Sequence, residues 1–495
     1  MTVPIRRSFI AAVLTTLSLP LAACGGGGSN GVGAASSPSG AAMVRAGVLA
    51  FVSIDSDLGS GQWQQVDRLA QKFPGRDKAL AQIKQALSKE GVDYGRDVKP
   101  ALGPEVDLAI VSGGTSSSTK AVALTKPDDA GKFRALVAKL NASDSSGKPA
   151  VYREVDGWYA LSDSQGAITE VLKGDRTPLS DDSTFKDAFG KLPGDALVKA
   201  FLDGQRVNAL VSQAASQSGS GFDSSSLGLD TLEYVSASAS AEDDGVRVRG
   251  ASSGGNLGGS NFTSKLIDGV PRDAFALLSF RGEGTTDQLG KLKSNPQVGA
   301  ALAQIEKSLG VSFEQVLALL RGEIAFYARP GAVIPELTLA LEEKDESGAL
   351  ATLDKIAARL AAATGARVEP GTQGGRPVKT INFGRFAIHY GGVGGKVVIT
   401  SGVNGIADYG GSGDHLADSA DFKEAKEAAG MPDSNGGVIY VDLKNALPLL
   451  EGFAGLAGQS LPSEVTENLR PLRSFLAWSE GTGGSRTFDA FLEIK

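Results

Sequence analysis

The pattern of hydrophobic and polar residues along the chain predicts a mixture of β-strands and α-helices. Residues 48–54 are apolar on both faces, which is typical of a central strand. Residues 151–162 predict a β-hairpin, because the pair Asp156-Gly157 tolerates the positive φ angles of a tight turn. A helix is predicted where apolar residues recur at helical spacing, at Ala79, Leu80, Ile83, Ala86 and Leu87. Hairpins mixed with helices favour an α+β fold with largely antiparallel sheets over the alternative, a strictly alternating parallel sheet.

This order of elements occurs twice along the chain. The same interval separates Gly91 from Gly103 and Gly310 from Gly322, and an acidic residue and a strand follow each second glycine. Further matching positions, with the first copy before the second, are Asp128 and Asp345, Phe185 and Phe422, and Phe201 and Tyr440. The two aspartates are predicted helix N-caps, and the phenylalanines at 185 and 422 are predicted core residues.

Repeats of roughly 200 residues are domains, since solenoid repeats are only about 20–50 residues long. The sequence therefore predicts two tandem homologous units, at residues 44–252 and 270–495, each a largely antiparallel sheet packed with helices. The Gly- and Ser-rich residues 253–269 are the predicted linker. A chain of 495 residues is long enough to bury two separate cores.

The first 23 residues predict a bacterial lipoprotein signal peptide. Arg6 and Arg7 precede an apolar run that is too short to span a bilayer. The run ends in Leu21-Ala22-Ala23-Cys24, which resembles the lipobox, so cleavage is expected between Ala23 and Cys24. Cys24 would then carry a diacylglyceryl group, and two acyl chains are enough for stable anchoring. Residues 24–43 are predicted to be the lipidated cysteine and a flexible tether; an ordinary secretory signal with an incidental cysteine is the alternative.

Charge and cysteine content exclude several classes of partner and site. Lys and Arg total 49 against 56 Asp and Glu, for a net charge of −7 without a basic run, which argues against a nucleic-acid partner. Cys24 is the only cysteine, so neither an intrachain disulfide nor a thiolate metal site is possible within the chain.

No catalytic constellation is recognised. His389 and His415 are the two histidines, and neither forms a ligand-spaced pair. Ser252 lies in a Gly-Ala-Ser-Ser-Gly match to the nucleophile elbow, but more glycines and serines follow where the elbow needs a helix. Ser183 and Lys186 match the Ser-x-x-Lys pattern of penicillin-binding enzymes, but no Lys-Thr-Gly accompanies them. The chain is therefore predicted not to be an enzyme.

No metal or cofactor site is predicted either. A calcium-binding EF-hand loop starting at Asp55 would have Val66 at its twelfth position, where an acidic ligand is required. Acidic pairs such as Asp55 with Asp57 are better explained by turns and helix caps. Trp158 and Trp478 lie in predicted strands and are expected to be core residues rather than sugar-binding platforms.

Several of these segments resemble the bacterial domain of unknown function 3352 family. They are the Ala-Phe-Val-Ser strand beginning at Ala50, the block from Gly91 to Ile110, and the blocks around Phe185 and Phe422. The similarity extends over nearly the whole mature chain. It implies an exported or membrane-associated envelope protein and no known activity, because the family is uncharacterised.

The sequence thus predicts a lipid-anchored extracytoplasmic protein, on the outer face of the cytoplasmic membrane or on the periplasmic or cell-wall side. Its expected role is non-catalytic binding or scaffolding at the cell envelope. The expected partners are the membrane, through Cys24, and an unknown envelope protein or small apolar ligand. One alternative is a lipid or solute carrier with its ligand between the two units, and another is an enzyme of unrecognised type.

Overall fold

Two units make up the chain in the computed structural model, which describes residues 38–112, 119–143, 149–218, 228–255, 259–293, 296–332, 334–384, 386–456, 460–482 and 484–495. Unit 1 comprises the described residues up to Gln217 together with Thr231–Gly254 and Ile494–Lys495. Unit 2 comprises those of Ser218–Asp230 and Gly255–Glu493.

Unit 1 is built on an antiparallel sheet with the strand order β4-β5-β3-β2-β1-β6-β7-β8. The strands are β1 (Ala50–Asp55), β2 (Glu105–Ser112), β3 (Thr119–Thr125), β4 (Val151–Val155), β5 (Trp158–Ser162), β6 (Val198–Asp203), β7 (Tyr234–Glu242) and β8 (Gly245–Ser253). The helices are α1 (Gly61–Ala70), α2 (Arg76–Lys89), α3 (Ala130–Ser143), α4 (Gln165–Val171), α5 (Ser183–Gly190) and α6 (Gly204–Ser218).

Unit 2 is built on a sheet with the order β13-β14-β15-β16-β12-β11-β10-β18-β19-β20, antiparallel from β13 to β19. The strands are β9 (Phe262–Thr263), β10 (Ala276–Arg281), β11 (Glu323–Arg329), β12 (Glu336–Glu342), β13 (Arg367–Gln373), β14 (Arg376–Asn382), β15 (Ala387–Gly392), β16 (Lys396–Thr400), β17 (Ser434–Asn435), β18 (Gly437–Asp442), β19 (Leu472–Thr482) and β20 (Ser485–Ile494). The helices are α7 (Glu283–Leu292), α8 (Pro296–Leu309), α9 (Phe313–Leu319), α10 (Glu346–Thr364), α11 (Gly405–Asp408), α12 (Ala420–Ala429), α13 (Leu443–Leu456) and α14 (Ser463–Leu469).

The prediction of an α+β fold with largely antiparallel sheets is confirmed, and the alternative of an alternating parallel sheet is wrong. The two strand orders also correspond. When the β13–β14 hairpin is set aside, unit 2 reads β15-β16-β12-β11-β10-β18-β19-β20, and each strand occupies the place of its counterpart in unit 1.

The two predicted core phenylalanines anchor helices on these sheets. Phe185 on α5 is fully buried, and its ring lies 4.3 Å from that of Phe189 and 5.3 Å from that of Phe201, between centroids. Phe422 on α12 is also buried, with its ring 5.0 Å from that of Tyr440. The N-cap of each helix lies three residues before its phenylalanine. The side chain of Asp182 accepts the N–H of Phe185, and the side chain of Ser419 accepts the N–H of Phe422. The prediction of both core residues is confirmed.

The matched glycines lie where a positive φ angle or a close neighbouring atom disfavours a residue with a Cβ atom. Gly91 and Gly310 follow helices with φ of 66° and 71°, a left-handed conformation that disfavours residues with a Cβ atom. At Gly103 and Gly322 a Cβ atom would overlap a backbone carbonyl oxygen of the adjacent strand end. Gly91 and Gly310 therefore lie at tight corners between two helices, and Gly103 and Gly322 lie at close approaches just before a strand.

One predicted cap lies a residue away from its true position. Helix α3 begins at Ala130, so the N-cap is Asp129 and not Asp128. The Oδ1 atom of Asp129 accepts the N–H groups of Gly131 and Lys132 at 2.8 and 3.0 Å. The prediction for Asp345 is confirmed, since its Oδ1 atom accepts the N–H of Gly348 at 2.9 Å at the start of α10.

A short segment at the start of unit 1, strap 1 (residues 38–46), packs across one face of the sheet. The carboxylate of Glu105 accepts the first two N–H groups of its 3-10 helix Ser39–Ala42, at 3.1 and 2.8 Å. Met43 is buried in the core. Strap 1 therefore folds with unit 1, and the predicted tether, residues 24–43, is wrong at its end, where residues 38–43 belong to strap 1.

Unit 2 starts with an equivalent segment, strap 2 (residues 264–272). The carboxylate of Glu323 accepts the N–H groups of Lys265 and Leu266 at 2.8 and 3.2 Å. Leu266 and Ile267 are buried in the core of unit 2. The last residues of the predicted linker, 253–269, therefore pack as part of unit 2.

Candidate functional site

The residues singled out by sequence do not form a site together. Cys24 and Ala23, the predicted lipid attachment and cleavage positions, lie outside the described residues. His389 lies on β15, where its Nδ1 atom is 2.8 Å from the hydroxyl of Thr380 and burial lowers its pKa. His415 lies at the start of a 3-10 turn, and its backbone forms a β-bridge with Pro271. The two histidines contact different elements.

The serine motifs also occupy structural positions. Ser252 is buried inside β8, where it pairs with Val235, so it is not on the strand-to-helix turn that a nucleophile elbow requires. Ser183 opens α5, and the ammonium group of Lys186 lies 3.7 Å from the carboxylate of Asp181. Among the described residues, no group of three or more His, Cys, Asp and Glu side chains could hold a metal ion.

An apolar cavity in unit 1 is a candidate ligand site. It has a volume of about 130 Å³ and lies between the sheet and helices α2 and α3. Its floor is formed by Val106 on β2, Ala123 on β3 and Leu161 on β5. The α3 wall consists of Phe133, Leu136, Val137 and Leu140.

The sequence builds these walls by simple periodicity. The four α3 residues follow the spacing i, i+3, i+4, i+7, which places them on one helix face. On the floor, Ala123 pairs with Leu108, whereas at the corresponding place in unit 2 Leu339 pairs with Phe326. The small side chain of Ala123 leaves space above the sheet that a leucine would fill.

The two hydroxyl groups in the cavity wall already have partners. The hydroxyl of Tyr159 donates to Glu154 at 2.5 Å and accepts from Arg134 at 3.0 Å. The hydrogen bond to Glu154 raises the pKa of Tyr159, so the phenol stays protonated. The hydroxyl of Thr125 donates to the backbone oxygen of Glu105 at 3.1 Å. A ligand would therefore meet apolar surface, because neither hydroxyl is available to it.

Helix α2 forms the outer wall of the cavity and is only partly buried. Of its predicted apolar stripe, Leu80 is buried, Ile83 and Leu87 are half-buried, and Ala79 and Ala86 are exposed. Leu87 and the exposed Glu90 line the rim of the cavity. The cavity thus opens to solvent beside the end of α2.

No helix in the described part of the chain is both long enough and apolar enough to cross a bilayer. A comparison with curated proteins gives no match.

A family model described as "Protein of unknown function (DUF3352)" matches residues 167–494, more than half of the chain. The chain belongs to the DUF3352 family. The matched span includes the blocks around Phe185 and Phe422 that carry the resemblance in the sequence. It begins after the last cavity residue, Leu161, so the DUF3352 model does not cover the cavity or the block from Gly91 to Ile110.

Two crystal forms of the protein TP0453 are similar to this chain among solved structures. Form I is 11% identical with a TM-score of 0.22, and the match covers 44% of this chain and 78% of TP0453. Form III is 11% identical with a TM-score of 0.22, and the match covers 46% and 82%. At that TM-score the likeness supports no conclusion about fold or function.

Proposed function

We propose that this DUF3352 protein is a lipid-anchored envelope protein whose unit 1 binds the end of an alkyl chain in the apolar cavity. The observation that carries the proposal is the wall of the cavity. Aliphatic and aromatic side chains form nearly all of it, and its hydroxyl groups are already hydrogen-bonded within the protein. Such a wall favours hydrocarbon over any ligand that needs polar contacts.

The size of the cavity narrows the class of ligand. A cavity of about 150 Å³ with aliphatic and aromatic walls can stay dry and bind a molecule as small as benzene. Pockets for drug-sized ligands are larger, at about 300–1,000 Å³. A volume of about 130 Å³ suits the tip of an acyl chain, with the rest of the molecule outside the rim at Glu90. The proposed role is accordingly binding without catalysis.

The location of the protein is part of the proposal. Lipidation of Cys24 would place unit 1 on the extracytoplasmic side of a membrane, within reach of lipids and other envelope proteins. The support is the sequence alone: a leader with Arg6 and Arg7, and a lipobox ending in Cys24.

We also propose that the two units arose by duplication. Matching backbone hydrogen bonds support this. Leu179 N–H donates to Val44 at 2.7 Å in unit 1, and Leu416 N–H donates to Val270 at 2.8 Å in unit 2. Glu105 and Glu323 hold the two straps in the same way, and the strand orders correspond. On this view unit 2 has filled its counterpart of the cavity floor with Leu339.

Binding can be tested by filling the cavity. We expect Ala123→Leu to reduce the affinity for 1-decanol and palmitate at least tenfold, because the added carbons occupy the ligand space. Titrations followed by ligand NMR would use the mature chain carrying Cys24→Ser, so that no attached acyl chain competes. Ala121→Leu is the matched control, since Ala121 lies on the same strand and face but outside the cavity wall. Equal affinity in the wild-type chain and Ala123→Leu would refute the proposed site.

A further inference from the structure

A carboxyl group is fully buried beneath strap 1. Asp107 on β2 is fully buried, and neither of its carboxyl oxygens has a hydrogen-bond partner among the described residues. Its neighbour Val106 lines the apolar cavity, so Asp107 points to the opposite face of the sheet. Gly40 of strap 1 lies directly over it, because a Cβ atom at Gly40 would overlap Oδ2 of Asp107.

In unit 2 the corresponding contact between strap and strand contains no charged side chain. Leu266 takes the place of Gly40, since the N–H of each donates to the first glutamate of the facing strand. Ala325 takes the place of Asp107, two residues after that glutamate. Leu266 and Ala325 are both fully buried. In unit 2 the pair Leu266 and Ala325 thus replaces the pair Gly40 and Asp107 of unit 1. A strap can therefore dock without a carboxyl group beneath it.

The surroundings of Asp107 oppose its ionisation. Burial, and then the charge of Glu105, raise the pKa of Asp107 well above its ordinary value, and these effects outweigh the opposing effect of the Ser53 hydroxyl. On the adjacent strands Asp107 pairs with Ser53 on β1 and with Leu124 on β3. The same face carries two further charged groups. Asp55 on β1 lies opposite Glu105, and Lys199 on β6 lies opposite Ser53.

Strap 1 itself brings no charge to this place, since residues 38–44 are Pro, Ser, Gly, Ala, Ala, Met and Val. Its first charged residue, Arg45, turns to the backbone oxygen of Glu170, at 2.7 Å from its Nε atom. An ionised Asp107 under a docked strap would therefore have neither a hydrogen-bond donor nor a cation from the strap to compensate it.

We propose that Asp107 is a pH-sensitive latch for strap 1, which stays docked while Asp107 is protonated and opens when Asp107 gives its proton to solvent. Opening would hydrate the carboxylate and would expose Ala41, Met43 and Val44, whose burial favours the docked state. Because strap 1 overlaps the end of the predicted tether, opening would also lengthen the connection between Cys24 and unit 1.

The direction of the pH effect follows from the raised pKa. A carboxyl group whose pKa is higher in the docked state than in the open state favours docking when it is protonated. Docking is therefore strongest below the ordinary pKa of an aspartate, about 4. It weakens as the pH rises towards the pKa of the docked state, by up to about tenfold in the docking equilibrium for each pH unit.

Hydrogen exchange measured by mass spectrometry on the full chain would test the latch between pH 4 and 9. The readout is the protection of strap 1 relative to strap 2. Strap 2 corrects for the intrinsic pH dependence of exchange, because the strand residue beneath it is Ala325, where unit 1 has Asp107. We expect this ratio to fall by up to tenfold per pH unit in the wild-type chain. The ratio should be independent of pH in Asp107→Asn.

A second variant keeps the test decisive if Asp107→Asn does not fold. The double substitution Gly40→Leu with Asp107→Ala reproduces the pair found in unit 2, and we expect it to fold with a pH-independent ratio. A wild-type ratio that does not change with pH would overturn the latch. So would a ratio that changes equally in the wild type and in either variant.

Discussion

The ring of Phe422 meets the ring of Tyr440 edge-on, with centroids 5.0 Å apart and planes at 89°. In unit 1, Phe185 and Phe201 adopt the same arrangement at 5.3 Å and 79°. Edge-to-face pairs of this kind stabilise a core beyond the area that they bury. Each pair joins a short helix to a central strand.

We therefore expect Phe185→Ala and Phe422→Ala each to lower the free energy of unfolding by about 3–5 kcal/mol. Each substitution should chiefly destabilise its own unit, which urea unfolding with peptide-resolved hydrogen exchange would show. Val403→Ala is the control, because Val403 is 72% exposed. It should change stability by less than about 0.5 kcal/mol. Losses below about 1 kcal/mol at both phenylalanines would contradict their role as anchors.

The N-cap of α3 gives a test with a neighbouring control. Asp129→Ala should lower the free energy of unfolding by about 1 kcal/mol, because the N–H groups of Gly131 and Lys132 lose their acceptor. Asp128→Ala should have a smaller effect, because its side chain does not cap the helix. Chemical denaturation of both variants would distinguish them, and a larger loss at Asp128 would show that the cap is misassigned.

Asp55 predicts a pH dependence of stability. Burial raises its pKa to about 6, although the hydroxyl of Ser60 donates to its carboxylate at 2.6 Å. Because the folded pKa is above the unfolded one, the stabilising contribution is complete below about pH 4 and is lost as the pH rises through about 6.

Asp55→Asn should remove this dependence. Relative to the wild type, the variant should gain on the order of 2–3 kcal/mol between pH 4 and pH 7. Urea unfolding at several pH values would measure the difference, with Asp57→Asn as a control on the exposed neighbouring residue. Parallel stability profiles for the wild type and Asp55→Asn would refute the prediction.

Cys24 makes a cellular prediction. Cys24→Ser should release the protein from the membrane fraction, because serine cannot form the thioether that carries the lipid. Fractionation with metabolic labelling by a fatty acid would report both effects, and Ser29→Ala in the tether is the control. Full retention of unlabelled Cys24→Ser in the membrane would exclude the lipid anchor.

Sequence reasoning succeeded where a residue type is dictated by local geometry. The matched spacing drew attention to Gly91 and Gly310, which lie at left-handed corners, and Phe185 and Phe422 were predicted as core residues, because few other residues satisfy those places. It missed the cavity, since a void depends on what faces Ala123 across the interior and not on Ala123 alone. The apolar periodicity of α3 was visible from Phe133 to Leu140, but periodicity cannot tell a filled interface from a partly empty one.

Asp107 was missed for a related reason. It lies between apolar residues in a segment that alternates poorly, and nothing in the sequence places Gly40 over it. The boundaries of the straps were missed because small residues such as Ser39 and Gly40 are typical of linkers. Their docking depends on Glu105, which lies far along the chain and accepts the backbone N–H groups of Ser39 and Gly40 and the hydroxyl of Ser39.

The β13–β14 hairpin determines how readily one edge of the unit 2 sheet could pair with another chain. β13 is the last strand of that sheet in the described chain, and it carries Pro370 between Glu369 and Gly371. A proline cannot donate a ladder hydrogen bond, and charged residues discourage pairing, so the free edge is a poor template for another chain. Unit 2 is thereby protected against growth by edge-to-edge aggregation, and Pro370→Val should raise light scattering at high concentration.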